Sequence, residues 1–261
     1  MLICPICKKD LKQVNNSYIC SNKHTFDIAK EGYVNLLLNK PKAGDNKLMI
    51  SSRKSFLNKG HFLPLALRLV EIIKKFNILN PTILDVGCAE GYYTKIFYKH
   101  FSNILGLDIS KDAIKMAAKN AKDIKFIVAS GKDIPIKNNT IDIIVNIFSP
   151  HFVTEFLRIL KDTRYLVKVT PNKNHLLELK QILYEDVYLT KEKFIENKNF
   201  KIYLKDDLKY TINLENIDII NLMQMTPYFY KTKEENLKKI ETINNISITL
   251  DFNITVYQKI K

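Results

Sequence analysis

Cysteine is scarce in this chain, with four in 261 residues. Three of them fall between positions 4 and 24, in CPICKKDLKQVNNSYICSNKH. Three cysteines cannot pair among themselves, and Cys88 lies far off in another context, so a disulfide framework is excluded. The N-terminus has no cationic stretch followed by an apolar core, so no secretory signal is expected and a reduced, cytoplasmic setting is the default. No apolar run approaches the roughly 20 residues that span a bilayer, which predicts no membrane association. Arginine is limited to Arg53, Arg68, Arg158 and Arg164, so the net charge of +14 is nearly all lysine. Lys, Asn and Ile are inflated together, the mark of a biased base composition. The charge therefore favours a polyanionic partner only modestly over a solvated lysine-rich surface. There is no internal repeat and no long low-complexity tract.

The clustered cysteines have metal-site spacing. Cys4 and Cys7 form C-x2-C, and Cys20 and His24 form C-x3-H after a loop carrying the turn signal Asn15-Asn16. Four soft or borderline donors suit tetrahedral Zn2+, and with every position filled by protein the site is expected to be structural. Between residues 40 and 60 six basic residues (Lys40, Lys42, Lys47, Arg53, Lys54, Lys59) face one acid, Asp45, alongside Pro41, Gly44 and Asn46. That composition predicts a flexible basic linker. The expected organisation is a zinc module over 1–37, a linker over 38–60 and a larger domain over 61–261.

The second informative stretch is PTILDVGCAEGYYTKIF, 81–97. A β-branched run ends in Gly87 and a helix follows, so strand, glycine turn and helix succeed one another. Gly87 and Gly91 allow close backbone approach to a ligand. Asp108 closes the next apolar run, ILGLD, where a carboxylate can accept both ribose hydroxyls. A dinucleotide fold needs G-x-G-x-x-G, but here Ala89 takes the middle glycine position. Glu90 stands at the helix start, where it would repel a pyrophosphate, and Asp85 adds a second acid. These acids suit S-adenosylmethionine, whose sulfonium and ammonium are cationic, and exclude NAD. Downstream, helices are expected at 110–121 with Ser110 as N-cap, at 154–160 and at 175–185. Strands are expected at 124–129, 141–148 and 164–171. Residues 246–258 alternate like an antiparallel pair or a long edge strand. The fold class is α/β: a Rossmann-like, class I methyltransferase domain with a mostly parallel sheet, an antiparallel C-terminal finish and a small N-terminal zinc domain.

Taken together, the zinc pattern and the stretches NSYIC (16–20), FDIAKEGYVNLL (26–37), Gly60-His61, LDVGCAEGYYT (84–94), GLDISK (106–111), IVAS (127–130), HLLELK (175–180), QMTP (224–227) and DFNI (251–254) carry a resemblance. The chain resembles the bacterial 23S rRNA guanine-N1-methyltransferases, the RlmA/RrmA family, over its whole length. The resemblance implies methyl transfer from S-adenosylmethionine to N1 of a guanine in a 23S rRNA hairpin. It also implies an RNA-recognising zinc domain with ligands Cys4, Cys7, Cys20 and His24, and a homodimer. It assigns cofactor contacts to Phe62, Ala89, Glu90 and His175, and the general methyltransferase pattern adds Asp85, Gly87, Gly91 and Asp108. Three departures are visible. Phe62 stands where the family commonly has Tyr. Ala89 replaces a glycine, which is tolerable if its φ is negative. KDTRY (161–165) replaces a P-G-G turn.

No catalytic base is identified. N1 of guanine must lose a proton to a carboxylate or histidine. His151 reads either as that base or as an ordinary surface or capping residue. Cys88 is expected to be a packing residue. Tyr92, Tyr93, Tyr228 and Phe229 read as base-stacking or core aromatics. Two other functions share parts of the pattern: a small-molecule methyltransferase, and a non-catalytic RNA-binding protein that kept the fold.

Overall fold

The structure is a computed structural model that describes residues 1–39, 45–184, 187, 194–226, 228–230 and 232–261. A three-stranded antiparallel sheet comes first: β1 (Leu11–Val14), β2 (Ser17–Cys20) and β3 (Thr25–Asp27). Asn15 and Asn16 form the expected two-residue hairpin, since Val14 pairs with Ser17 and Asn15 takes a left-handed φ of 52°. There follow β4 (Tyr33–Asn35), α1 (Lys47–Asn58), α2 (Leu63–Lys74), β5 (Thr82–Val86), α3 (Tyr92–Tyr98), β6 (Asn103–Asp108), α4 (Lys111–Asn120), β7 (Lys125–Val128) and β8 (Ile141–Ile147). The chain ends with α5 (Val153–Ile159), β9 (Leu160–Pro171), α6 (Leu177–Leu183), β10 (Phe200–Glu215), α7 (Asn216–Gln224), α8 (Glu234–Glu241) and β11 (Asn245–Lys259).

The large sheet has the order β10-β11-β9-β8-β5-β6-β7-β4. From β9 to β4 the pairings are parallel, and β11 runs antiparallel between β9 and β10. Successive residues of a strand face opposite layers. On β5, Ile83 enters the layer holding Leu65 and Leu69 of α2 and Phe97 of α3, whereas Leu84 enters the layer holding Phe156 and Ile159 of α5. This double cover explains why β8 is buried at every position. Neither reading of 246–258 holds as stated: the segment is one continuous strand, β11, paired antiparallel on both sides, and β10 is the edge.

Three expectations need correction. Residues 47–58 are not a flexible linker but a capped helix: Asn46 accepts the Met49 amide at 2.9 Å, and Phe56 and Leu57 are buried. The chain meets a core there, and of its basic residues Lys47 is exposed whereas Arg53 is largely buried against Asp45 and Glu90. Lys40, Pro41, Lys42 and Gly44 lie outside the described residues. Second, β4, from the segment expected to be a separate module, extends the large sheet by parallel pairing with β7. Third, KDTRY does not leave the strand. It bulges β9 between the pairs Ile141–Leu160 and Ile143–Tyr165. Thr163 takes the left-handed φ of 61° that a glycine would supply, and Lys161 and Arg164 both bond Asp142, at 2.9 and 3.1 Å.

Candidate functional site

The four zinc candidates converge. The ligand atoms of Cys4, Cys7, Cys20 and His24 all lie within 4.8 Å of one another. Cys7 Sγ is 3.7 Å from Cys20 Sγ, and His24 Nδ1 is 3.4 Å from Cys4 Sγ and 3.5 Å from Cys20 Sγ. Tetrahedral Zn2+ with ordinary bond lengths places sulfurs about 3.8 Å apart and sulfur about 3.5 Å from nitrogen. The donor set fits zinc, with Nδ1 as the histidine ligand. The module is joined to the large domain by backbone bonds, with Ile3 N donating to Pro135 O at 3.0 Å and Lys137 N to Met1 O at 2.9 Å. Lys8 adds an ion pair to Asp133 at 2.6 Å.

Around the glycine turn, Gly87 and Gly91 have φ of 81° and 77°. Ala89 also lies in the left-handed region, at 48°, so the negative φ that would make the alanine easily tolerated is not met. Its methyl group therefore stays strained, because the turn is held from both sides. Gly87 N and Cys88 N donate to Leu107 O, and Ala89 N donates to Asp108 Oδ2 at 2.9 Å. The other Asp108 oxygen accepts Ser110 N at 2.8 Å. Burial raises the Asp108 carboxyl above its usual range, against the pull of those two amides. Asp85 sits beneath the turn, 2% exposed, accepting the Thr94 hydroxyl at 2.7 Å. Burial pushes its pKa up to about 7. Glu90 is buried too, and its Oε2 has no hydrogen-bond partner. Burial raises it, and Arg53 opposes that shift from 3.5 Å. Cys88 is enclosed with Ala117, Ile114 and Phe126, and burial raises its thiol.

Two buried acids, Asp85 and Glu90, with the half-buried Asp108, fit a cationic ligand and oppose a pyrophosphate, and Glu90 Oε2, ion-paired with Arg53, still lacks a hydrogen bond. S-adenosylmethionine is what this donor set can hold, with Asp108 for the ribose and Glu90 for the cationic tail. Beyond Asp108, a cavity of about 280 Å³ is lined by Ile109, Ser130, Asp133, Leu36 to Asn39, and Pro5 of the zinc knuckle.

Phe62 and His175 lie together against Phe252, with ring centroids 5.3 and 4.9 Å from it. Phe62, 3% exposed, packs edge-on against Phe56 and Phe252. His175 Nδ1 accepts the Asp251 amide at 3.2 Å, so the ring proton resides on Nε2. Burial, with the nearby Lys180 charge, drives its pKa down to about 3. Phe148 lies 6.3 Å from the Phe62 ring and 6.2 Å from that of His175. Its neighbour Ser149 closes on Gly87, where a Cβ would collide with Ser149 Oγ. The loop after β8 thus joins both halves of the site. His151 is exposed on that loop. Tyr92, Tyr93 and Tyr228 pack against the large core cluster, and Phe229 lies against Tyr230.

Sequence reasoning missed three residues. Arg53, assigned to the linker, reaches Glu90 of the glycine turn. Lys168 donates to Asn146 Oδ1 at 2.9 Å and to Ser149 O at 3.4 Å, and burial lowers its pKa to about 8. Phe148 was read only as the end of a strand. A lysine in the otherwise apolar VKV of β9 was the one available signal for Lys168.

Comparison with known proteins agrees with this geometry. Residues 2–43 match the family model described as RlmA, N-terminal, and residues 84–169 the one described as Methyltransferase domain. The chain is 31% identical over 276 aligned residues to the Bacillus subtilis protein named "Putative 23S rRNA (guanine-N(1)-)-methyltransferase YxjB", covering 99% of this chain and 97% of that one. It is 29% identical to the 23S rRNA (guanine(748)-N(1))-methyltransferase of Streptomyces fradiae, over 98% of this chain and 95% of the relative. Among solved structures, the YcgJ protein of Bacillus subtilis matches with a TM-score of 0.50 at 15% identity, over 75% of this chain and 98% of that chain. That last likeness concerns the fold.

Proposed function

The chain belongs to the 23S rRNA guanine-N1-methyltransferase family, and from that premise we propose that it methylates N1 of one guanine in a hairpin of 23S rRNA. The observation that carries this reading is the full-length match of one chain holding both the zinc cluster and the acidic cofactor turn. A small-molecule methyltransferase needs the turn alone.

When bound, S-adenosylmethionine supplies an electrophilic methyl group for in-line transfer. In this reading Asp108 accepts from the cofactor's ribose, Glu90 and Asp85 face its cationic end, and Ala89, Gly87 and Gly91 shape the backbone around it. Phe62 and His175 line the opposite side. With Nδ1 already accepting an amide and its pKa near 3, His175 donates from Nε2, so it is not the acceptor of the N1 proton. N1 lies on the Watson–Crick edge, so the target guanine must be unpaired or extruded.

The zinc module and the outer face of α1 are the surfaces assigned to RNA. Arg53 and Lys59 are spent on Asp45, Glu90 and Asp218, which leaves Lys47 and Lys54 of α1 for phosphates. A second copy of the chain is the other partner in this reading, and sedimentation of the purified protein reads that out. The deciding experiment is primer extension across 23S rRNA from a deletion strain, since a methyl at N1 stops reverse transcriptase. A stop that disappears on deletion, and returns when purified protein and S-adenosylmethionine are added, supports the function. No change in any stop, with no transfer to 23S rRNA in vitro, moves the small-molecule reading ahead.

A further inference from the structure

Phe148 combines two features that ordinary packing does not explain. It is bulky yet takes the left-handed φ of 52°, a conformation such side chains avoid and which concentrates at functional sites. It also leaves 41% of its surface exposed, although it follows a strand buried at every position. The backbone is held there firmly. Phe148 N donates to Val169 O at 3.1 Å. Asn146 Nδ2 donates to Val86 O and Pro150 O, both at 3.2 Å. Lys168 secures Asn146 Oδ1 and Ser149 O from below. Two tightly held residues thus flank an exposed ring.

The ring lies next to the glycine turn, through its neighbour Ser149. Ser149 closes on Gly87 of the cofactor turn, and His175, Phe62 and Phe252 lie 6.2, 6.3 and 5.6 Å from the Phe148 ring. Those three rings brace it, and its remaining surface is open to solvent. A planar π-face beside the cofactor turn is what a flipped, planar base needs. Stacking fixes the plane of the base, and the N1 lone pair lies in that plane, so the stack aims N1.

We propose that Phe148 is the stacking platform for the target guanine, held in its strained conformation by Asn146 and Lys168; this rests on the rRNA guanine reading above. Tyr92, Tyr93 and Tyr228 are occupied in core packing, whereas Phe148 is braced and open.

The test compares Phe148→Leu and Phe148→Tyr in the full chain with its zinc. Two quantities are read: S-adenosylhomocysteine affinity by calorimetry, and kcat/KM for methyl transfer to transcribed 23S rRNA. Loss of a base stack predicts a roughly tenfold to hundredfold lower kcat/KM for Phe148→Leu. Cofactor affinity should stay within about twofold of wild type, which also certifies folding, and Phe148→Tyr should restore most of the rate. An unimpaired Phe148→Leu overturns the assignment, as does a cofactor affinity that falls in step with the rate. A wild-type protein that methylates no 23S rRNA overturns the functional reading and this assignment together. An active wild type beside an active Phe148→Leu overturns only the assignment.

Discussion

The Arg53 guanidinium lies 3.5 Å from Glu90 Oε2 while holding Asp45 at 2.5 Å, so helix α1 supplies the counter-charge to an acid of the cofactor turn. Glu90 is 5% exposed at its side chain and Arg53 18%, a setting in which removing one partner strands the other. Arg53→Met should destabilise the fold by up to about 3 kcal/mol and weaken S-adenosylmethionine binding, because α1 no longer closes on the turn. Arg53→Met with Glu90→Gln should recover part of the stability. A double-mutant cycle in urea reads the coupling; additive effects would mean that the pair does not interact.

Ala89 gives a prediction of opposite sign. A Cβ in the left-handed region costs about 1 kcal/mol, and the turn holds Ala89 there through Asp108. Ala89→Gly should therefore raise stability by about 0.5–1 kcal/mol, less what glycine gains in unfolded freedom, with cofactor affinity equal or tighter. Thermal melts with and without S-adenosylhomocysteine check both. A lowered melting temperature would contradict the strain argument.

Zinc removal should be felt beyond the module. Cys20→Ser should release the metal and loosen residues 1–39. Ile3 and Met1 bond to 135 and 137, and Pro5 lines the cavity beside Ile109 and Ser130. Cofactor affinity should therefore fall with the metal. Metal analysis, hydrogen exchange over 1–39 and 128–137, and calorimetry test this. Unchanged affinity in metal-free protein would show that the cavity does not take part in cofactor binding.

Asp85 predicts a pH dependence. Burial raises its pKa to about 7, partly offset by the Thr94 hydroxyl, with Asp108 and Glu90 adding to the rise; the unfolded value is about 3.9. Between those values the folded protein carries a proton that the unfolded chain lacks. This contribution to stability is therefore fully present below pH ~4 and is lost as pH rises toward 7, by up to about 1.4 kcal/mol per pH unit. Asp85→Asn should flatten that slope. Urea unfolding at several pH values between 4 and 8 measures it, and an equal slope in both proteins would refute the assignment.

What the sequence alone determined were the features set by local spacing. C-x2-C and C-x3-H present their donors through short turns, and a strand that ends in Gly87 with Asp108 at the close of the next strand specifies a glycine turn held by an acid. Parallel strands buried on both faces were legible for the same reason, as continuous apolar runs such as 141–148. Tertiary structure decided what depends on meetings between distant segments. The basic composition of 40–60 gave no sign that Arg53 would turn inward, because the partner that draws it, Glu90, lies on another element. β4 extends the large sheet only because β7 offers it an edge, and nothing in Tyr33–Asn35 names that edge. The tautomer of His175 follows from an amide on β11. The φ of Phe148 is set by Val169, Asn146 and Lys168, since a phenylalanine left to its own propensity would not adopt it.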